Sequence, residues 1–165
     1  MKQKTLPGNE IFDTLETPLG RLYLIFSDGL LTGVSFDRPS GLLFKKTPET
    51  ELPKKELREY FEKSRQGFTF ATAFLEGTDF EKEVWKALKE VPYGETRTYK
   101  WLADRLGKPH ASRAVGNALG KNPIPVIFPC HRIIESDGSI GGYSSGVEIK
   151  RRLLEIEYYT KLSKT

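Results

Sequence analysis

Cysteine, histidine and arginine stand in a row at Cys130-His131-Arg132, and Cys130 is the only cysteine in the 165 residues. A lone thiol is either core filling or a nucleophile. As a nucleophile it must ionise, because the thiolate attacks and the thiol does not; an ordinary cysteine, with a pKa near 8.5, is only a few per cent ionised at neutral pH. His131 is the adjacent candidate base, and Glu157 can orient that imidazole and stabilise its charged form. Adjacent residues of an extended segment point to opposite faces, so a water relay between thiol and imidazole is as open as direct contact. One cysteine excludes an intramolecular disulfide and any multi-cysteine zinc site, and the only histidines are His110 and His131.

The segment that presents the thiol runs from Asn122 to Ile134, N-P-I-P-V-I-F-P-C-H-R-I-I. Pro123, Pro125 and Pro129 bar a helix. Val126, Ile127 and Phe128 form an apolar run, read as a buried strand-like piece that delivers Cys130 to a rigid turn. Glu157 belongs to a helix predicted over Glu148–Tyr159, on the face of Leu153 and Leu154. A carboxylate there is either paired, for which a histidine is suitable, or reaches solvent at the edge of the stripe.

Two short helices are predicted before this segment, Tyr99–Leu106 and about Ala111–Gly120, joined by Gly107-Lys108-Pro109. The outline is that of a helix-turn-helix. The second helix is nearly bare. Val115 and Leu119 can face a core, and the rest is Ala, Ser, Gly and Asn apart from Arg113 and the terminal Lys121. Such a face either packs on a neighbouring helix or enters something narrow. A B-DNA minor groove is about 6 Å wide, and Arg113 could then take the place of a displaced base.

Thr78 with Glu81 fits a capping box for a helix carrying Phe80, Val84, Leu88 and Val91 on one stripe and stopped by Pro92-Tyr93-Gly94. A boundary therefore falls at Glu76-Gly77, giving units 1–76 and 77–165. The first unit reads as strands Ile11–Glu16, Arg21–Phe26 and Leu30–Phe36 and a short strand at Leu42–Phe44. A helix follows from Pro53 to about Gln66 with Gly67 as its terminator, then a strand at Phe68–Phe70. No constellation there suggests chemistry, and the reading is a scaffold.

The formal charge is +4, with 38% hydrophobic and 29% charged residues, compatible with a polyanionic partner. Scarce Asn, Gln, Cys and Met beside abundant charge is a profile of proteins from hot environments. No apolar run is long enough for a membrane span, and Met1–Glu10 is polar, without a signal-peptide core. A cytoplasmic location and no membrane partner are expected.

Pro129-Cys130-His131-Arg132 after Asn122-Pro123-Ile124-Pro125, followed by Gly142-Tyr143-Ser144-Ser145-Gly146, resembles the O6-alkylguanine-DNA alkyltransferase family. Arg113-Ala114-Val115-Gly116 and Pro92 to Tyr99 match that family's helix-turn-helix region, so the likeness runs from about Thr78 to Glu157. It implies an α/β (α+β) protein, with a ribonuclease-H-like N-terminal sheet-plus-helix domain and a C-terminal winged-helix domain carrying the site. It implies a suicidal DNA-repair methyltransferase that flips O6-alkylguanine, and secondarily O4-alkylthymine, out of double-stranded DNA and keeps the alkyl group on Cys130. Base flipping would follow minor-groove binding by Ser112, Arg113, Ala114, Gly116, Asn117 and Lys121, with Arg132 as a further DNA contact. His131 and Glu157 would serve the thiol, and Tyr99 would hydrogen-bond the base and assist its departure. Asn122 would brace the turn. Tyr143, Ser144, Ile133 and Leu119 would line the base pocket.

The likeness further implies a monomer that needs no protein partner and no cofactor. Some relatives hold a zinc in the first domain; the residues for it are missing here, so no metal is expected. A branch of the family has tryptophan at the nucleophile position and binds lesions without repairing them, whereas Cys130 favours transfer. Two rival functions are a lesion-binding module without chemistry and a Cys-His hydrolase that turns over many times.

Overall fold

A computed structural model describes residues 10–163 of the chain. The expectation about a signal peptide concerns Met1–Glu10, of which positions 1–9 lie outside the described residues. The protein divides into two compact units, up to Glu76 and from Gly77 onward.

In the first unit the alternation of apolar and polar residues builds a meander of β1 (Glu10–Thr17), β2 (Gly20–Ser27) and β3 (Leu30–Ser35). Asp28 and Gly29 both take positive φ (49° and 79°), the conformation of the tight turn that joins β2 to β3. A short strand, β4 (Leu43–Phe44), runs parallel to β1 and completes the order β3-β2-β1-β4. Phe12, Leu22, Leu24, Phe26 and Leu31 form the core with Leu57 and Tyr60 of α1 (Pro48–Lys63).

Three local expectations are corrected here. Helix α1 starts at Pro48 with Thr47 as N-cap, so Pro53 lies inside its first turns. The position beyond the helix in left-handed conformation is Ser64 (φ 65°), not Gly67. No strand forms at Phe68–Phe70; instead Thr72 makes a single parallel bridge to Leu31. Two buried carboxylates hold this unit's ends together. Asp13 accepts from Thr50 at 2.8 Å and pairs with Lys54 at 3.2 Å, while Glu56 accepts from the Thr69 amide at 2.7 Å and pairs with Arg65 at 3.0 Å.

The second unit opens with α2 (Asp79–Ala87), whose Thr78–Glu81 capping box is formed in both directions, and a 3₁₀ turn at Leu88–Glu90. Next come β5 (Arg97–Thr98), α3 (Tyr99–Arg105) and α4 (Ser112–Leu119). A second 3₁₀ turn, Cys130–Arg132, leads into β6 (Ile133–Ile134), which pairs in parallel with β5. The unit closes with α5 (Val147–Ser163). Val84, Leu88, Leu102, Ala103, Val115, Ile124 and Leu153 are buried and form the core of this unit. Among the described residues no helix is long and apolar enough to cross a membrane.

Candidate active site

The bare helix is positioned from behind. Val115, Ala118 and Leu119 of α4 are buried, and Trp85 of α2 donates its indole N–H to the Ala118 carbonyl at 2.8 Å. Between α3 and α4, Gly107 takes φ 73°, and Lys108 N–H returns to the Ala103 carbonyl at 2.9 Å, closing the first helix. Packing on neighbours and an open small-residue face are therefore both present. Arg113, Ala114 and Asn117 are exposed, and Ser112 and Gly116 partly so. Arg113 makes no hydrogen bond or ion pair among the described residues, whereas Lys121, also exposed, pairs with Glu81 at 3.3 Å.

The segment after α4 is a turn and not the expected strand. Asn122 clamps it: its Oδ1 accepts from Ile124 N–H at 3.0 Å and its Nδ2 donates to the Phe128 carbonyl at 2.9 Å. Phe128 N–H returns to the Ile124 carbonyl at 3.0 Å, and Cys130 N–H to the Phe128 carbonyl at 2.8 Å. Val126 sits in the left-handed region at φ 74°, which costs a β-branched residue on the order of 1–2 kcal/mol. The apolar run is buried as expected, but through a fold-back that an extended strand cannot make.

Cys130 is thereby brought to the wall of a cavity of about 200 Å³, shared with Tyr99, Gly116, Leu119, Gly120, Gly142, Tyr143 and Ser144. Burial pushes its pKa up; Asn122, the Lys150 ammonium and the Tyr143 hydroxyl act against that rise. The Tyr143 hydroxyl is itself buried and close enough to the sulfur to interact with it, but it makes no hydrogen bond of full geometry among the described residues. Tyr99 has its pKa raised by burial and by nearby Glu135 and Cys130, so its phenol is protonated at neutral pH.

Behind the thiol lies a fully buried ionic cluster. His131 Nε2 is 2.7 Å from Glu157 Oε2. Arg132 forks onto the same carboxylate at 2.8 and 3.0 Å and donates to the Val91 carbonyl at 2.8 Å. Gly94 N–H adds a fourth contact to Glu157 at 3.2 Å. Burial raises the Glu157 pKa, but His131 and Arg132 outweigh it and hold the carboxyl well below the usual range. Burial also lowers the His131 pKa in spite of Glu157, so the imidazole is neutral. With Nε2–H given to the carboxylate, Nδ1 carries the lone pair; it is buried and has no hydrogen-bond partner among the described residues.

The open question about Glu157 is thus resolved in favour of pairing. Two expectations fail. Arg132 is not available to DNA, because its guanidinium is buried and committed to Glu157 and Val91. Ile133 does not line the cavity; it is fully buried in β6. Gly120 and Gly142 of the cavity wall were missed, and so was Lys150, a lysine with no exposed surface whose Nζ donates to the Ile133 carbonyl at 2.6 Å and the Gly142 carbonyl at 3.1 Å. A signal for Lys150 existed. With Leu153 and Glu157 it keeps the i, i+3, i+7 spacing of one helix face, the three buried positions of α5.

Positions 1–76 carry eleven of the 26 basic and eleven of the 22 acidic residues, so the whole +4 excess falls in the unit that holds this site.

Residues 79–159 match the family model for the DNA-binding domain of 6-O-methylguanine DNA methyltransferase. A methylated-DNA–protein-cysteine methyltransferase of Methanosarcina barkeri is 44% identical over 153 residues, covering 88% of this chain and 96% of that protein. The crystal structure of Mycobacterium tuberculosis O6-methylguanine methyltransferase superposes with a TM-score of 0.83 at 38% identity, covering 91% of this chain and 93% of that one. The M. tuberculosis protein in complex with DNA gives 0.80 at 38% identity, covering 90% and 92%.

Proposed function

The chain belongs to the methylated-DNA–protein-cysteine methyltransferase family, and on that premise we propose that it repairs DNA by moving the alkyl group of O6-alkylguanine irreversibly onto Cys130. O4-alkylthymine is the secondary substrate. The observation that carries the reading is the placement of the sole thiol in the wall of a cavity whose other side is the small-residue helix α4.

The exposed face of α4 enters the minor groove, and Arg113 occupies the gap left by the everted base. The base lies in the cavity against Tyr99, Tyr143 and Ser144. Neutral His131, with a lone pair on Nδ1, accepts the thiol proton directly or through a water, and Glu157 stabilises the imidazolium. Cys130 Sγ then attacks the alkyl carbon in line. The S–C bond forms as the C–O6 bond breaks, the electron pair stays on guanine, and the proton reaches guanine as it leaves. Tyr99 donates a hydrogen bond to the base and stabilises the developing negative charge. The product is a thioether, so each chain reacts once, as a cytoplasmic monomer whose only macromolecular partner is the damaged duplex.

Incubation with duplex DNA containing O6-methylguanine, followed by intact and peptide mass measurement, tests this. The expected result is a gain of one methylene on the Cys130 peptide, at most one per chain, abolished in Cys130→Ala while DNA affinity remains. Tight binding with unchanged mass identifies a lesion-binding module instead. Repeated turnover of an ester without DNA identifies a hydrolase.

A further inference from the structure

Lys150 has no part in the reaction just described, yet it is a lysine buried in the core of its unit. Its side chain has no exposed surface, and among the described residues no carboxylate bonds it. Instead Nζ joins two carbonyls from different stretches of chain. Ile133 O lies three residues after Cys130, and Gly142 O lies in the loop that carries Tyr143 and Ser144. The same Nζ stands 5.9 Å from the centre of the Tyr99 ring. Tyr99, Cys130 and Gly142 all line the one cavity, so the ammonium is set against its wall.

A buried ammonium held only by neutral carbonyls is costly unless negative charge is near. The acidic groups facing it are the Cys130 thiol and Glu135, and both favour its charged form. The other titratable groups around it are the Tyr99 phenol, the Tyr143 hydroxyl beside Cys130, and His131, which in turn faces Glu157 and Arg132. His131 is neutral, so Lys150 is the cation that faces the sulfur.

We propose that Lys150 is a positioning residue for alkyl transfer: its ammonium ties the Cys130 segment to the base-pocket loop and supplies the positive charge against which the thiolate forms. This rests on the alkyl-transfer reading and extends it. Burial pushes the lysine down to about 8 against the opposing pull of Cys130 and Glu135, and Lys150 in turn favours the ionised thiol, so the two titrate as a pair. Alkylation removes the ionisable partner that favours the charged lysine, because a thioether carries no charge. Lys150 in the spent protein then holds its proton less firmly.

The sole cysteine makes the test direct. The rate of alkylation of the DNA-free protein by iodoacetamide is followed against pH for the wild type, Lys150→Met and Lys150→Arg. Loss of the charge in Lys150→Met moves the midpoint upward and slows the reaction at pH 7 by about tenfold or more; Lys150→Arg, which keeps the charge, recovers part of the rate. A Lys150→Met protein that is less stable but has the wild-type midpoint overturns the proposal. If that variant does not fold, wild-type protein with ¹³C-labelled lysine is titrated before and after Cys130 is alkylated. The coupling is reciprocal, so the lysine that titrates near 8 falls by about one unit on alkylation. An unchanged midpoint, or no lysine titrating in that range, overturns the proposal. Neither measurement uses DNA. A shifted thiol midpoint in a protein that gains no mass from O6-methylguanine refutes alkyl transfer and leaves the Lys150–Cys130 pairing standing, and the converse outcome removes only the pairing.

Discussion

Glu157 is the residue on which the buried cluster depends. It is bonded by His131, by both arms of Arg132 and by the Gly94 amide. Glu157→Gln keeps the shape but removes the charge that balances the Arg132 guanidinium, and breaking a buried ion pair from one side costs about 3–5 kcal/mol. Urea unfolding is expected to show a loss of that size, and a change below about 1 kcal/mol would mean that Arg132 finds compensation elsewhere. At this scale the sequence was legible where chemistry constrains residue type. A carboxylate on an apolar helix face needs a partner, and a histidine next to a lone cysteine is a natural one. Arg132 was misread because an arginine beside a DNA-binding motif suggests phosphate, and nothing in its local spacing reveals that it turns inward to Glu157 and Val91.

At the scale of elements, periodicity located α3, α4, the meander β1–β3 and the start of α2 to within about two residues, since each buries one regular face; the stripe read on to Val91 leaves the α-helix at Ala87 and continues as a 3₁₀ turn. Segments without a period were harder to read. The Val126–Phe128 run is apolar like a strand, but Asn122 gathers its backbone groups into a fold-back and forces Val126 to φ 74°. Helix α1 begins five residues before Pro53, because Pro48 takes the first helical position, where proline is tolerated, and the Thr47–Thr50 cap sets the start upstream. The element that carries the functional prediction is α4. Arg113 is exposed and bonded to nothing in its own unit, so Arg113→Ala leaves folding stability within about 0.5 kcal/mol of wild type. It is expected to suppress the fluorescence signal of an everted 2-aminopurine far more than it weakens overall duplex affinity. Equal loss of both would make Arg113 an ordinary phosphate contact.

At the scale of the whole molecule, charge is partitioned, with a balanced first unit and the entire excess beyond Glu76. Duplex affinity is therefore expected to fall steeply with salt, by a log–log slope of about −0.9 for each phosphate neutralised; a flat profile in a binding titration would argue against a duplex partner. The buried cluster also sets the stability in acid. The folded protein holds His131 below its ordinary value of 6.5, so below about that pH the unfolded chain binds a proton that the folded one refuses. Stability falls as pH falls. Glu157, held below its ordinary 4.5, adds a second loss of the same sign once pH drops under that value, because only the unfolded chain is then protonated there. Lys150 acts at the other end: with a folded value of about 8 against 10.5 unfolded, it adds stability as pH rises between the two, against the buried Cys130 thiol, whose raised value favours the unfolded chain above about 9. Urea midpoints from pH 8 to pH 3 are therefore expected to decline in two stages, the first starting near 6.5 and the second near 4.5. Glu157→Gln removes the second stage and alters the first, since the imidazole loses the carboxylate that favours its charged form. A single stage in the wild type, confined to pH below 4.5, would mean that His131 is charged in the folded protein and cannot accept the thiol proton.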